Sequence, residues 1–382
     1  MSRRTDFQKI LAHQQPDNLI LDLGGCPQSN MDGKSMYTLL RHLGFEIPEK
    51  IDRLRFGKTR RLDEQLLQRF DIDTRSVGEI YMPQDSQYRI ISENEYIDEW
   101  GIKWVFANDM YWEQTSYPLK GATVEDLDNF RWPNPDSIDM KLVEADAQQA
   151  KRLWEETDYI VCAEHPVYGV FELGCWMCGF DDFLLRMYTE PEFVMKFFGK
   201  IWQYQKRVIE IYYGALGKYI HYTTSGDDFA TQQNLFMPVE TFNEFIKPFF
   251  KERIAYTKTF TDAAFLHHSC GSVFSLIPEL IDSGVDILNP IQPKATNMEP
   301  ERLKSNYGDK IVFHGGIDTQ EILPYGTKET IEKVVRDTIG VMNRNGGYIF
   351  AAAHNIQEDV PPQNVVYMFD EARRCGKHLS TK

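Results

Sequence analysis

The chain has 382 residues, of which 42% are hydrophobic and 13% aromatic, ample for a large core, so a disordered protein is excluded. Its net charge of −15 argues against a nucleic-acid footprint and against polyanionic substrates. No run of ~18 apolar residues occurs, and no apolar stretch follows the arginines of MSRRTDFQKILAHQQPD, so neither membrane insertion nor secretion is expected.

Phe7–His13 reads as a short helix, and Leu19–Leu23 as a buried strand ended by Gly24-Gly25. Met31–Leu43 carries apolar residues at helical spacing, the charged stretch Arg53–Phe70 is a further helix, and Ile72–Val77 is a second strand. From Tyr81 to Ala122 the pattern turns irregular and aromatic (Tyr88, Tyr96, Trp100, Trp104, Tyr111, Trp112), which predicts a β-hairpin or lid inserted after that strand. Val124–Phe130 and Ile138–Thr157 are helical, and Tyr159–Glu164 is a third strand.

Glu172–Leu184 reads as one helix, and Thr189-Glu-Pro-Glu192 as a capping box opening a long one. Tyr219–Thr223 is a fourth strand, followed by Ser225-Gly-Asp-Asp228, and Pro238–Thr261 is helical. The stretch Ala264–Gln292 reads as strand, loop, short helix and strand, a βαβ unit that implies a parallel sheet. Strands Ile311–His314 and Tyr348–Ala353 follow, the second after a helix from Thr327 to Asn343, and Pro361-Pro362 opens a final helix. Eight strands, each followed by a helix, are the count of a single (β/α)8 barrel, with residues 1–382 as one domain. The six cysteines form no disulfide framework in so long a chain and fit a reducing cytoplasm.

A parallel barrel keeps its chemistry at the C-terminal ends of its strands. His268 and Cys270 end the fifth strand as a metal-capable pair, and positions i and i+2 face the same way. The alternative is a buried cysteine beside hydrogen-bonded histidines. Asp227 and Asp228 follow the fourth strand; adjacent carboxylates cannot both point inward, so one is expected to be catalytic and the other to cap a loop or helix. Glu164 and His165 end the third strand, and His314 and Asp318 lie at the seventh. Asn355 and Gln357 follow the eighth. All six are candidates for contacting substrate, with packing or loop scaffolding as the alternative. His267 faces away and is structural, and an isolated Cys175-Trp-Met-Cys178 within a helical pattern carries little weight.

With His268-Ser-Cys270-Gly271, Asp286-Ile-Leu-Asn-Pro290, Gly315-Gly-Ile-Asp318 and His354-Asn-Ile-Gln357…Val360-Pro-Pro362 in view, the chain resembles the uroporphyrinogen decarboxylase superfamily. The resemblance spans nearly the whole chain and is closest to the branch containing zinc-dependent methyltransferases of corrinoid pathways. It implies a (β/α)8 barrel. Porphyrinogen decarboxylases of the superfamily carry an Arg-Gln-Ala-Gly-Arg loop after the first strand; here that place reads Gly24-Gly-Cys-Pro-Gln-Ser-Asn30, with no arginine to hold carboxylates. The methyltransferases bind zinc through His-x-Cys after the fifth strand and a Cys after the eighth. His268 and Cys270 match the first part, and His354 stands where the second cysteine is expected.

The resemblance thus implies a zinc enzyme that moves a methyl group between a small substrate, a methoxylated aromatic or a thiol, and a corrinoid carried by a partner protein. The chain itself is expected to be cytoplasmic, with a homodimer the common state among its relatives. A metal-free decarboxylase of a smaller acid and a non-catalytic barrel that binds a corrinoid or tetrapyrrole are the alternatives.

Overall fold

The computed structural model describes residues 2–47, 61–107, 111–164 and 166–377. The eight predicted parallel strands are present as one sheet: β1 (Ile20–Leu21), β2 (Thr74–Val77), β3 (Ile160–Ala163), β4 (Tyr222–Gly226), β5 (Ala264–His268), β6 (Ile287–Ile291), β7 (Val312–Ile317) and β8 (Tyr348–Ala352). Each pairs with its sequence neighbour from β2 round to β8, and β8 returns to β1, with helices packed outside. This is a (β/α)8 barrel.

Among the described residues no ladder joins β1 to β2. Asp73 closes that seam instead: its N–H donates to the Leu21 carbonyl at 3.0 Å, and its carboxylate accepts the Leu21 N–H at 2.7 Å. Arg3, from helix Arg3–Leu11, donates to the same carboxylate at 2.9 Å, and Arg373, from helix Pro362–Cys375, lies 3.3 Å from it.

Two layers of apolar side chains follow from strand alternation. Outward-facing residues pack against the helices in the larger cluster. Inward-facing Ile20, Ile160, Tyr222, Leu266, Ile287, Val312 and Ile349 fill the bore, and Phe7 and Ile10 join them as a plug.

Several elements differ from the sequence reading. The fourth strand starts later, at Tyr222, because helix Pro191–Leu216 runs on into a 3-10 turn over Gly217–Tyr219. Thr189 forms no capping box: it ends the preceding helix, where its hydroxyl donates to the Leu185 carbonyl at 3.1 Å. The long helix starts on Pro191, which has no N–H to cap. The helix expected over Glu172–Leu184 is two, Val170–Cys178 and Phe180–Thr189, broken at Gly179, whose φ of 100° no other residue type adopts readily. Of the helix expected over Arg53–Phe70, the described part forms Glu64–Arg69, and residues 53–60 lie outside the described residues.

The insertion after β2 is larger than a hairpin. It is a four-stranded antiparallel sheet of Arg89–Ser92, Glu95–Ile97, Lys103–Ala107 and Tyr111–Gln114. Trp104 meets Trp176 edge-on at 5.9 Å, and Trp100 meets Tyr204 at 4.8 Å. These two indoles therefore anchor the sheet to the helices after β3.

Candidate metal centre

The site begins one alternation step above the apolar filling of the bore. Two residues beyond Ile20, Leu266, Ile287 and Val312 stand Asp22, His268, Asn289 and His314, all buried and facing the same way as those apolar residues. They form one chain of hydrogen bonds. His268 Nδ1 lies 2.5 Å from Asn289 Oδ1, Asn289 Nδ2 lies 2.6 Å from His314 Nδ1, and His314 Nε2 lies 2.7 Å from Asp22 Oδ2. Asp22 also accepts from the Gly25 N–H at 2.8 Å, the Ser29 hydroxyl at 2.7 Å and the Thr74 hydroxyl.

Another step up, Cys270 follows His268 on the same side, and His354 arrives from the end of β8. Their donor atoms, His268 and His354 ring nitrogens and Cys270 Sγ, all lie within 4.8 Å of one another. Cys270 Sγ is 3.3 Å from His268 Nε2, and the two imidazole rings meet edge-on with centroids 5.6 Å apart. Tetrahedral zinc with Zn–N near 2.0–2.1 Å and Zn–S near 2.3 Å spaces its donors about 3.3–3.6 Å apart; the His268–Cys270 pair already has that spacing, and His354 lies within 4.8 Å of both.

The electrostatics agree with that fit. Burial pushes His354 down to about 4, helped by His268, and burial likewise lowers His268, so both rings are neutral donors at pH 7. Burial raises the Cys270 thiol well above its ordinary range, and the charges of Asp228 and Glu172 raise it further. A cation is what such a thiol needs to become a thiolate. Gln292 braces it, donating from Nε2 to Sγ at 3.5 Å while its Oε1 accepts the Gly271 N–H at 2.7 Å.

The two adjacent aspartates divide. Asp227 turns away from the three donors and accepts the N–H groups of Phe171 at 3.1 Å and Glu172 at 2.8 Å, capping helix Val170–Cys178. Burial raises its carboxyl to about 7 against those bonds, and of the two aspartates it takes the capping role that the sequence leaves open between them. Asp228 is the inward member: Oδ1 accepts the Cys270 N–H at 2.8 Å and stands 3.6 Å from His268 Nε2. Glu172, which sequence reading passed over, belongs to the same corner; burial, then the charges of Asp228 and Asp227, raise its carboxyl well above the ordinary range.

The remaining candidates scatter. His314 is fully buried inside the hydrogen-bonded chain, out of reach of a substrate. Asp318 uses one oxygen to accept the N–H groups of Glu321 and Ile322 at 2.7 and 2.9 Å, capping the loop that follows β7. Glu164 is buried at the end of β3, and His165 lies outside the described residues. Gln357 is exposed beyond the rim, whereas Asn355 is half-buried beside His354. Its Oδ1 has no hydrogen-bond partner among the described residues, and the same holds for Gln28 Oε1. Gln28 lies in the loop after β1; a Cβ placed on Gly226 would stand 3.6 Å from its Nε2 and 4.0 Å from His268 Cβ, so its amide reaches the site. His267 points the other way, bonded to Ser225 at 2.8 Å and stacked on Phe229. A second group of donors, Asp22, Cys26 and His314, also converges within 4.8 Å. There the carboxylate is engaged by four donors and burial pushes the Cys26 thiol up to about 12, a hydrogen-bonded cluster rather than an open site.

Comparison with known proteins bears on the same region. The family model for uroporphyrinogen decarboxylase (URO-D) matches residues 113–375. A uroporphyrinogen decarboxylase of Wigglesworthia glossinidia brevipalpis is 26% identical over 106 residues, which is 28% of this chain and 28% of that protein. Another, from Vesicomyosocius okutanii subsp. Calyptogena okutanii (strain HA), is 32% identical over 73 residues, 19% of this chain and 21% of that one. The chain thus matches under a third of the length of each of these relatives. A methyltransferase from Methanosarcina mazei superposes with a TM-score of 0.65 over 98% of this chain and 99% of its own, at 12% identity, a likeness of fold.

Proposed function

The chain belongs to the uroporphyrinogen decarboxylase family, and from that premise we propose that it is a zinc-dependent methyltransferase working, as one barrel unit, between a small substrate and a corrinoid protein. The observation that carries this reading is the convergence of His268, Cys270 and His354 at the barrel mouth. These three would hold the ion. Bound there, zinc supplies a Lewis acid that stabilises negative charge on the substrate heteroatom losing or receiving the methyl group. A nitrogen-rich donor set makes a harder ion, which favours an ether oxygen over a thiol.

The chain's own residues do the rest. Asp228, beside His268, orients the substrate or takes its proton. Gln28 and Asn355 offer buried amide oxygens to a substrate donor group. The loop Gly24–Asn30 presents no arginine, which weighs against a substrate rich in carboxylates.

The test is transfer itself. Zinc-loaded protein is mixed with cob(I)alamin, as a stand-in for the protein-borne corrinoid, and a panel of methoxylated aromatics and methyl thioethers, and methylcobalamin is followed by absorbance. Formation that disappears in Cys270→Ala supports the reading. Release of carbon dioxide from a small acid by metal-free protein, without methyl transfer, replaces it with the decarboxylase.

A further inference from the structure

We propose that Asp22 is a positioning residue for the metal site, fixing His268 through Asn289 and His314 in the Nδ1–H tautomer so that Nε2 faces Cys270 and His354. The proposal rests on the metal-site reading above and extends it to residues that touch neither ion nor substrate.

The logic runs from the carboxylate upward. Gly25, Ser29 and Thr74 each donate to Asp22, and a carboxylate can only accept, so its remaining neighbour, His314 Nε2, donates too. Burial works against the charge on Asp22, yet the bond and the attraction from His314, with the bonds from Thr74 and Ser29, hold its carboxyl below the ordinary range. In the neutral ring, with its one proton on Nε2, His314 Nδ1 carries a lone pair and needs a donor. The group 2.6 Å away is the Asn289 amide, which must present its NH2 there. The Asn289 oxygen is then left for His268, 2.5 Å away, and it can be satisfied only by an N–H on His268 Nδ1. That leaves the Nε2 lone pair 3.3 Å from Cys270 Sγ.

The reversed chain fails at its far end when His314 is neutral. Turning the Asn289 amide over would put the His268 proton on Nε2 and point a bare His314 nitrogen at the Asp22 carboxylate. Asp22, Asn289 and His314 are 0, 1 and 0% exposed, so water cannot relieve that mismatch. A doubly protonated His314 is the one state that would reverse the chain, and the same spectrum that reads the tautomers would show it. One carboxylate just past the first strand therefore selects which nitrogen of a ligand on the fifth strand is available.

The test reads tautomers directly. Metal-free protein labelled with 15N-histidine is examined by long-range 1H–15N correlation, with the ring assigned through His268→Gln and His314→Gln. The expected pattern is a protonated Nδ1 on His268 and a protonated Nε2 on His314. In Asp22→Asn the His268 signals move toward a tautomer mixture, and zinc affinity falls roughly tenfold or more while circular dichroism is unchanged. The opposite tautomers in the unmodified protein overturn the relay, a result that does not depend on any variant folding. A folded Asp22→Asn with unchanged tautomer and unchanged zinc affinity overturns it as well. Zinc titration of the unmodified protein judges the metal separately: the expected tautomers without zinc binding uphold the relay and remove the metal-site reading.

Discussion

Cys270 Sγ stands 3.3 Å from His268 Nε2, two side chains that leave the same strand end two positions apart. The strand sets their common direction, and β8 brings His354 to them. Elemental analysis of the purified protein should give about one zinc per chain, bound by the three donors. Cys270→Ala or His354→Ala should lower occupancy at least tenfold while the thermal midpoint of the metal-free protein stays within a few degrees. Full zinc content in both variants would place the ion elsewhere.

The neighbouring aspartates should separate stability from turnover. Asp227 caps a buried helix, so Asp227→Ala should cost about 1–2 kcal/mol of stability, read from the urea midpoint. Asp228→Asn keeps the bond from the Cys270 N–H and should leave that midpoint in place while slowing methyl transfer tenfold or more. Equal stability losses in the two variants would contradict this division.

Gly271 holds the turn that aims Cys270. Its φ is +85°, and a Cβ there would lie 2.3 Å from the Thr231 carbonyl and 2.7 Å from that of Ala230. Backbone on that side cannot yield as a side chain would. Gly271→Ala should therefore destabilise by about 1–3 kcal/mol and weaken zinc binding, checked by urea unfolding and metal titration on one preparation.

Acid sensitivity has a source far from the site. His221 is pushed down to about 4, by burial first and by Arg4 next, and its Nδ1 accepts the Val161 N–H at 3.0 Å. The unfolded chain protonates such a ring near 6.5. Below that value the unfolded state takes up the proton first, so stability is complete above about pH 6.5 and is lost as pH falls toward 4. The contribution is on the order of 3 kcal/mol across that window. His221→Gln should flatten the dependence of the urea midpoint on pH between 6.5 and 4. An unchanged slope would assign acid lability to other groups.

Much of this architecture was legible because burial writes itself into the sequence as runs and alternations. All eight barrel strands stood out as apolar runs after turns or helix ends, and His268, Cys270 and Asp228 were visible at strand ends. The missing part concerned where protons and caps go. Sequence leaves open which of Asp227 and Asp228 is the cap and whether Asp318 is one, and the three-dimensional path of the chain shows that Asp227 and Asp318 meet backbone N–H groups. Asn289 carried a signal that was passed over, since Ile287 and Asn289 repeat the spacing of Leu266 and His268. Glu172 and Gln28 had none; they reach the site from a helix and a loop whose direction no local pattern encodes.

The seam at Asp73 gathers parts of the chain that lie far apart in sequence. Arg3 grips that carboxylate from one helix, and Arg373 from another more than three hundred residues away. The Gly376 carbonyl, just beyond the later helix, also accepts the N–H of Leu19 at the threshold of β1. One carboxylate thus fastens two helices from distant parts of the sequence to the step of the barrel where neighbouring strands share no ladder among the described residues.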